Sequence, residues 1–529
     1  MQTISLFWIC GLAILFINFF LGLGFSVATM CRCSAVENSG TSTVREKTGR
    51  AMKKGTSKRW PPMLLFWICV VTAVFVILVC PILDPFSRVY MMASFNRPSI
   101  SSDICSGKRI FMYDLPARFN VNLFNKRRCN KGLIYWMNLC PRFSNGGYGL
   151  KLWDDSNSEW ILNDGFDRSS WYDTDSYMLE VIFHTRMKEY HCLTEDPAMA
   201  DALFIPYYTG LHALVHLYPS NLTGWRTDPR TEIAVRLRRQ NFGMELINWL
   251  ENNGGEKWRR YGGRDHFLIL GRTAWDFHFQ EFWGTGFSEL PFVDNMTRLL
   301  IERDIDLPNE HAIPYPTSFH PSSPQRLSKW IEGVTNAERK FLFSYVGAPR
   351  PDIRSVRGVL ETQCLNAGDE VCKMVNCSVV RCSHDPESIY RAFLQSTFCL
   401  QPRGDSNTRR STFDCLISGA IPVFFHKESA YTQYSWHLPR DPKSYSVFIS
   451  EQDLTTKGIS IQKVLMSYSP ERIRAMRKRI VSLIPSLIYN DYANDPLGSE
   501  KDAFEVSIAG VLDRIAAVKK RFPRAAVTI

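Results

Sequence analysis

The stretch from Phe398 to Phe425 reads FCLQPRGDSNTRRSTFDCLISGAIPVFF and holds the side chains best suited to chemistry. An apolar strand, Phe398 to Gln401, feeds a polar loop containing Gly404, Asp405 and Ser406. The loop feeds a helix that opens near Ser411, with Arg409 and Arg410 at its start. A helix N-terminus offers free N–H groups and partial positive charge. Two guanidiniums beside it suit a diphosphate. Asp414, about one turn further, can accept from a ribose or sugar hydroxyl. The competing reading is an ordinary strand–helix turn with solvated arginines. Arg403-Gly404-Asp405 is also an adhesion tripeptide, a reading that this loop context does not favour.

Such a loop needs strands and helices to hold it, and the chain supplies both. Residues 108–113 read as a strand ending at Asp114-Leu115-Pro116. Asp175 to Tyr190 has helical periodicity, 202–206 is a buried strand, 231–252 is a long helix, and 266–270 is another buried strand. The pattern restarts after a connection rich in Pro and Ser (314–324). A strand at 341–346, a helix at 351–362, the strand at 398–401, a helix from Ser411 to Ile417 and a strand at 420–425 follow. Short apolar strands alternating with helices predict parallel α/β sheets. Two such blocks of about 200 residues predict two Rossmann-like domains with a cleft between them.

The chain has 529 residues, too many for one ordinary domain. Its formal net charge of +11 invites a nucleic-acid reading. The charge is uneven, however. Residues 31–60 carry +6 and residues 511–529 carry +4, which leaves +1 for 61–510. No nucleic-acid partner is expected of a nearly neutral body. Residues 63–83 form an uncharged apolar run of 21 residues, long enough for a transmembrane signal anchor. A second apolar stretch, 4–29, fits a second span, a signal sequence, or an upstream extension with translation starting at Met52. The basic stretch between the two runs belongs in the cytoplasm. The chain after residue 83 then lies on the lumenal side, in type II orientation.

Ten of the fifteen cysteines follow the anchor, an even number that suits disulfides, with 364–382 the region expected to be bridged. The spacing of that cluster lacks the paired CxxC of a zinc site. Asn221, Asn295 and Asn376 head glycosylation tripeptides. The expected organisation is a segment 1–62 with an apolar start and a basic cytoplasmic stretch, the anchor 63–83 and a short stem 84–104. A first Rossmann-like domain 105–325, a second Rossmann-like domain 326–500 and a C-terminal helix and tail 501–529 complete it.

The Phe398–Phe425 stretch, together with IFMYDLPARFN (110–120), DALFIPYY (201–208), GGRDHFLILGRTAWDF (262–277), IPYPTSFHP (313–321) and LFSYVGAPRPD (342–352), resembles the exostosin-like glycosyltransferases of family 47. The resemblance covers nearly all of 105–515 and is nearest to the plant xyloglucan galactosyltransferase branch. Gly419-Ala420 stands where the family usually has Gly-Cys, and Arg403 where near relatives often have Gln. The resemblance implies an α/β GT-B fold, with the acceptor side in 105–325 and the UDP-sugar side in 326–500, inversion at the donor carbon, a UDP-sugar donor and a Golgi membrane location. The implied partners are UDP-galactose or a related UDP-sugar, xyloglucan or a related hemicellulose, and a complex with other cell-wall glycosyltransferases. Carried over by motif, the donor site would hold Arg350, Ser406, Arg409, Arg410, Ser411 and Asp414. Arg350, Arg409 and Arg410 would stabilise the leaving diphosphate.

Inversion needs a base on the face opposite the leaving group. Asp114 and Asp276, at strand ends of the first block, are the candidates, with His266 and His320 more distant ones. The turn before Pro116 explains Asp114 without catalysis, and a buried structural role explains His266. Two DxD strings, Asp173-Thr174-Asp175 and Asp304-Ile305-Asp306, could hold a metal on a diphosphate, but chance and helix capping account for them. No metal or cofactor is expected, and arginines would take the metal's place. Trp160, Trp171, Tyr172, Tyr207, Tyr208, Trp275, Trp283, Tyr315 and Phe319 could stack on acceptor sugars. Most aromatics are core, so two or three are expected in a groove. Open alternatives are another donor (galacturonic acid, arabinose), a mannan acceptor, or a non-catalytic lectin-like scaffold.

Overall fold

The computed structural model describes residues 103–123, 139–153, 170–217, 241–279, 284–350, 352, 354–380, 382, 385–492 and 500–522. The chain divides into two units after Ser99. The first, Met1–Ser99, lies outside the described residues, and with it the runs 4–29 and 63–83 and most of the stem. Among the described residues no helix is long and apolar enough to cross a membrane.

Within the second unit the chain forms β1 (Ile110–Met112), α1 (Leu179–Lys188), β2 (Ala202–Phe204), α2 (Thr209–Leu217), α3 (Met244–Asn253), α4 (Gly255–Arg259), β3 (His266–Ile269), β4 (Thr297–Leu300) and β5 (Glu310–Ala312). These strands pair in parallel in the order β1-β2-β3-β4-β5. Alternate side chains serve two cores, as the two-residue period of a strand requires. Phe204, Phe267, Ile269 and Leu299 enter the larger core. Leu203, Leu268 and Leu300 enter a second core on the other face.

The second half forms α5 (Pro324–Asn336), β6 (Phe341–Gly347), α6 (Val356–Ala367), β7 (Cys372–Asn376), α7 (Pro386–Leu394), β8 (Ser396–Gln401), α8 (Ser411–Ile417), β9 (Ile421–Phe424), β10 (Val447–Phe448), α9 (Glu451–Thr455), α10 (Ile461–Met466), α11 (Pro470–Leu487) and α12 (Ala503–Arg521). Its strands are also parallel, in the order β10-β9-β8-β6-β7. From β6 the chain steps outward to β7, then returns to the other side of β6 for β8. The strand order therefore reverses between β6 and β8, and such a switch point leaves a crevice at the carboxyl ends of the two strands.

Two helix expectations are corrected. The long helix expected over 231–252 does not reach back through 241–243. Those residues form a turn, Gly243 adopts φ +84°, and α3 begins at Met244; residues 231–240 lie outside the described residues. The helix expected over 351–362 starts at Val356, because Ser355 caps it by accepting from the Gly358 N–H.

α12 returns to the first half. Arg514 donates to Thr297 Oγ1 at 2.8 Å, Lys519 Nζ donates to the Asp201 carbonyl at 2.6 Å, and Phe504 packs on Phe183. Basic residues fill its last turn (Lys519, Lys520 and Arg521), where the helix dipole favours them. Disulfides join Cys105–Cys192, Cys364–Cys372, Cys377–Cys382 and Cys399–Cys415. The 364–382 cluster is thus bridged in pairs. Cys399–Cys415 links β8 to α8 at the two ends of the polar loop. Asn295 lies half-buried in the turn before β4, and Asn376 ends β7 with its side chain accepting from the Ser378 N–H. Asn221 lies outside the described residues.

Candidate active site

The polar loop runs from Gln401, the last residue of β8, to Ser411, the first of α8. It sits at the crevice where the strand order reverses. Arg350 follows β6, Arg357 lies in the first turn of α6, and Arg409 comes from the loop. Arg409 Nη2 donates to the Val346 carbonyl at 3.2 Å, but its Nη1 is buried with no hydrogen-bond partner among the described residues. Burial first, then the nearby Arg357 charge, lowers the Arg409 pKa to about 10. Burial and then Arg350 lower that of Arg357 in turn. Arg357 Nε donates to the Arg403 carbonyl at 3.1 Å, and Arg350 pairs with the exposed Asp405 at 2.6 Å.

Three cations thus share one place with too little negative charge between them. Around them lie other buried polar atoms without partners among the described residues: Tyr345 Oη, both side-chain atoms of Gln401, and Ser411 Oγ. Unpaired buried donors are costly unless a ligand satisfies them. A diphosphate supplies both the charge and the acceptors.

The remaining donor-site candidates have other partners. Arg410 donates Nη1 to the Thr174 carbonyl at 2.5 Å and Nη2 to Ser318 Oγ at 2.6 Å, both in the first half. Asp414 is 5% exposed, accepts from Tyr390 Oη at 2.6 Å, and lies 3.7 Å from Arg410 Nε; burial raises its pKa. Ser406 Oγ donates to Glu302 Oε2 at 2.7 Å. Arg350, Ser406, Arg409, Arg410, Ser411 and Asp414 are therefore gathered around one loop. Arg409 and Ser411 keep atoms without partners among the described residues there, whereas Arg410 and Asp414 are committed to the protein.

Asp114 and Asp276 are not brought together. Asp114 is exposed after β1, at the far edge of the first sheet from the loop. Asp276 is 2% exposed and paired with Arg272 at 2.6 Å. His266 is buried between Asp265 Oδ1 at 2.8 Å and Tyr113 Oη at 2.9 Å. His320 is buried between Thr174 Oγ1 at 3.0 Å and the Tyr489 carbonyl at 2.7 Å, and burial lowers its pKa to about 3. Of the nine aromatics, Trp275 is exposed at 43%. Trp171, Tyr172, Tyr207, Tyr208, Tyr315 and Phe319 are core, and Trp160 and Trp283 lie outside the described residues.

Reading the sequence missed Arg357, Tyr345 and Glu302. Arg357 was legible as the third basic residue after the strand at 341–346, following Arg350 and Arg354. Glu302 carried no local signal, because its partners lie more than a hundred positions away.

The exostosin GT47 domain model matches residues 104–465. The chain is 40% identical over 426 residues to xyloglucan galactosyltransferase MUR3 of Arabidopsis thaliana, covering 79% of this chain and 64% of that protein. It is also 40% identical over 421 residues to xyloglucan galactosyltransferase XLT2 of Arabidopsis thaliana, covering 79% and 76%. The solved GtfA/B complex aligns with 64% of this chain and 61% of its own at 10% identity and a TM-score of 0.29. The fold is an α/β protein built on two parallel sheets. The chain belongs to the exostosin GT47 family.

Proposed function

We propose that the protein is an inverting UDP-sugar-dependent glycosyltransferase of GT-B architecture. It transfers galactose from UDP-galactose to xylosyl side chains of xyloglucan in hemicellulose synthesis. It acts from the Golgi membrane, anchored by residues 63–83 with its catalytic part in the lumen and N-glycans on Asn221, Asn295 and Asn376. The observation that carries the reading is the cationic crevice of Arg350, Arg357 and Arg409, with Arg409 Nη1 buried and unpaired at the switch point of the second sheet. Leaving UDP gains negative charge as the glycosidic bond to phosphate breaks, and fixed cations stabilise that charge without reorganising. The names of the relatives support the donor sugar and acceptor.

The test is a panel of radiolabelled UDP-galactose, UDP-galacturonic acid and UDP-arabinose, given with xyloglucan or mannan oligosaccharides to the full-length protein in microsomal membranes. Galactose should pass to xyloglucan. Transfer of another sugar, or to mannan, would move the protein elsewhere in the branch. No transfer from any donor would leave only the lectin-like reading.

A further inference from the structure

We propose that Glu302 is the base that takes the proton from the acceptor hydroxyl. The inference rests on the transferase reading above. Such a group must lie in the first half, at the carboxyl ends of its strands, and must reach the loop that holds the donor. It must also keep one atom free. Asp114 follows β1, three strands from β4, or roughly 14 Å at ~4.8 Å per strand. Asp276 is closed by Arg272. His266 and His320 have both ring nitrogens occupied.

Glu302 meets every condition. It lies two residues beyond β4, and its backbone is fixed on the strand-end side. Its carbonyl accepts from the Ala274 N–H at 2.9 Å, and it forms a parallel bridge with Thr273. Its Oε2 receives three donors from the donor loop: Ser406 Oγ at 2.7 Å, Thr408 N–H at 2.7 Å and Thr408 Oγ1 at 2.6 Å. Tyr315 Oη holds Thr408 Oγ1 from a further side at 2.8 Å. No donor among the described residues reaches Oε1, and Oε1 is not sealed from solvent, although the residue is only 8% exposed.

A neutral acceptor would serve to hold Ser406 and Thr408. What a carboxylate adds is a second oxygen, and the group is planar. Three donors on Oε2 therefore aim Oε1, and a base aimed in advance spares reorganisation in the transition state. In the reaction, Oε1 takes the hydroxyl proton while the acceptor oxygen bonds to the anomeric carbon. The bond from that carbon to the phosphate oxygen breaks, and its electron pair leaves with UDP beside Arg409. Configuration inverts, and Glu302 then returns the proton to water.

The test compares Glu302→Gln and Glu302→Asp with wild type, in the full-length protein, by kcat, by KM for the donor and by the Kd of UDP. The Gln amide oxygen can still take the loop donors but its other atom cannot take a proton. Its kcat should fall by about 10²–10⁴-fold while KM and the UDP Kd stay within about threefold. Asp keeps a base set back by one methylene, so its kcat should fall less than that of Gln. If Gln does not fold, an Asp variant with KM raised tenfold and kcat retained overturns the proposal. So does a Gln variant with kcat within tenfold of wild type, or one whose losses lie wholly in KM and UDP affinity; either leaves Glu302 as a loop-holding residue. Failure of the transferase reading would show instead as an inactive wild type.

Discussion

The Arg410 guanidinium donates to the Thr174 carbonyl oxygen at 2.5 Å, across 236 positions of sequence. Its other terminal nitrogen reaches Ser318, so one side chain joins the polar loop to two segments of the first half. Arg410→Ala leaves both acceptors unpaired and should cost about 2 kcal/mol of stability. It should also lower kcat by about tenfold or more through misaligned halves, while UDP affinity changes by less than about threefold. Thermal melts and UDP titration check this. Arg410→Lys should rescue little, since an ammonium cannot serve two diverging acceptors as a planar fork does. A loss confined to UDP affinity would make Arg410 a phosphate ligand instead.

Arg409 should behave in the opposite way. Its charge is buried, one nitrogen has no partner among the described residues, and Arg357 repels it. Arg409→Met keeps the length and removes the charge. The free protein should melt at or above the wild-type temperature, because a strained buried cation is gone. UDP affinity should fall by about 30–100-fold, the ~2–3 kcal/mol of a charged hydrogen bond to phosphate. The stabilisation that UDP gives wild type should therefore nearly vanish. Unchanged UDP affinity in this variant would remove the crevice as the donor site.

Much of the second half is legible in sequence because its signals are local. Helix Ser411–Ile417 lies where the polar loop meets the run STFDCLI, and the strands at 341 and 398 are apolar runs bounded by glycine or a polar loop. What hides is non-local or too short. β5 is Glu310-His311-Ala312, with no apolar run, and β10 has two residues. The reversal between β6 and β8 is a property of strand pairing. Glu302 sits in LLIERD and reads as one more surface charge beside a DxD string; only the fold sets it against Ser406 and Thr408. Asp276 could have been read better. Arg272 precedes it by four positions, a spacing at which an ion pair competes with catalysis.

Acid should weaken the fold from pH 6.5 downward. Burial, the largest cause in each case, lowers the pKa of His184 and His437 to about 4 and of His311 and His320 to about 3. The unfolded value is about 6.5. Below it the unfolded chain binds protons that the native state refuses, so the contribution present above pH 6.5 is lost as pH falls. Each histidine can remove up to about 2 kcal/mol by pH 5. His278 has the opposite sign. Burial works against its protonation, but bonds to Glu289 and Glu310 outweigh that and raise its pKa to about 9. Its contribution is complete below pH 6.5 and is lost as pH rises through 9. Denaturant titrations at pH 5, 7 and 9 should give the highest stability near 7. His320→Gln should flatten the acid arm and leave the alkaline arm alone.

Activity should survive EDTA, and the reason lies in what the DxD carboxylates already do. Asp173 is paired with Arg142, and Asp175 caps the short turn that leads into α1 by accepting from the Tyr177 N–H at 2.9 Å. Between them, Thr174 gives its carbonyl to Arg410 and its hydroxyl to Tyr148 and His320. Asp304 accepts from the Asp306 N–H at 3.0 Å, which closes a local turn. A divalent ion at Asp173 would have to compete with a guanidinium already in contact. The charge a metal would bring is present as Arg350, Arg357 and Arg409, and these stand where a diphosphate would need it. Turnover after EDTA treatment and gel filtration should stay within about twofold of the untreated enzyme. A loss of tenfold or more, restored by Mn²⁺ or Mg²⁺ and absent from an Asp173→Asn variant, would return the metal to the mechanism and displace the arginines from it.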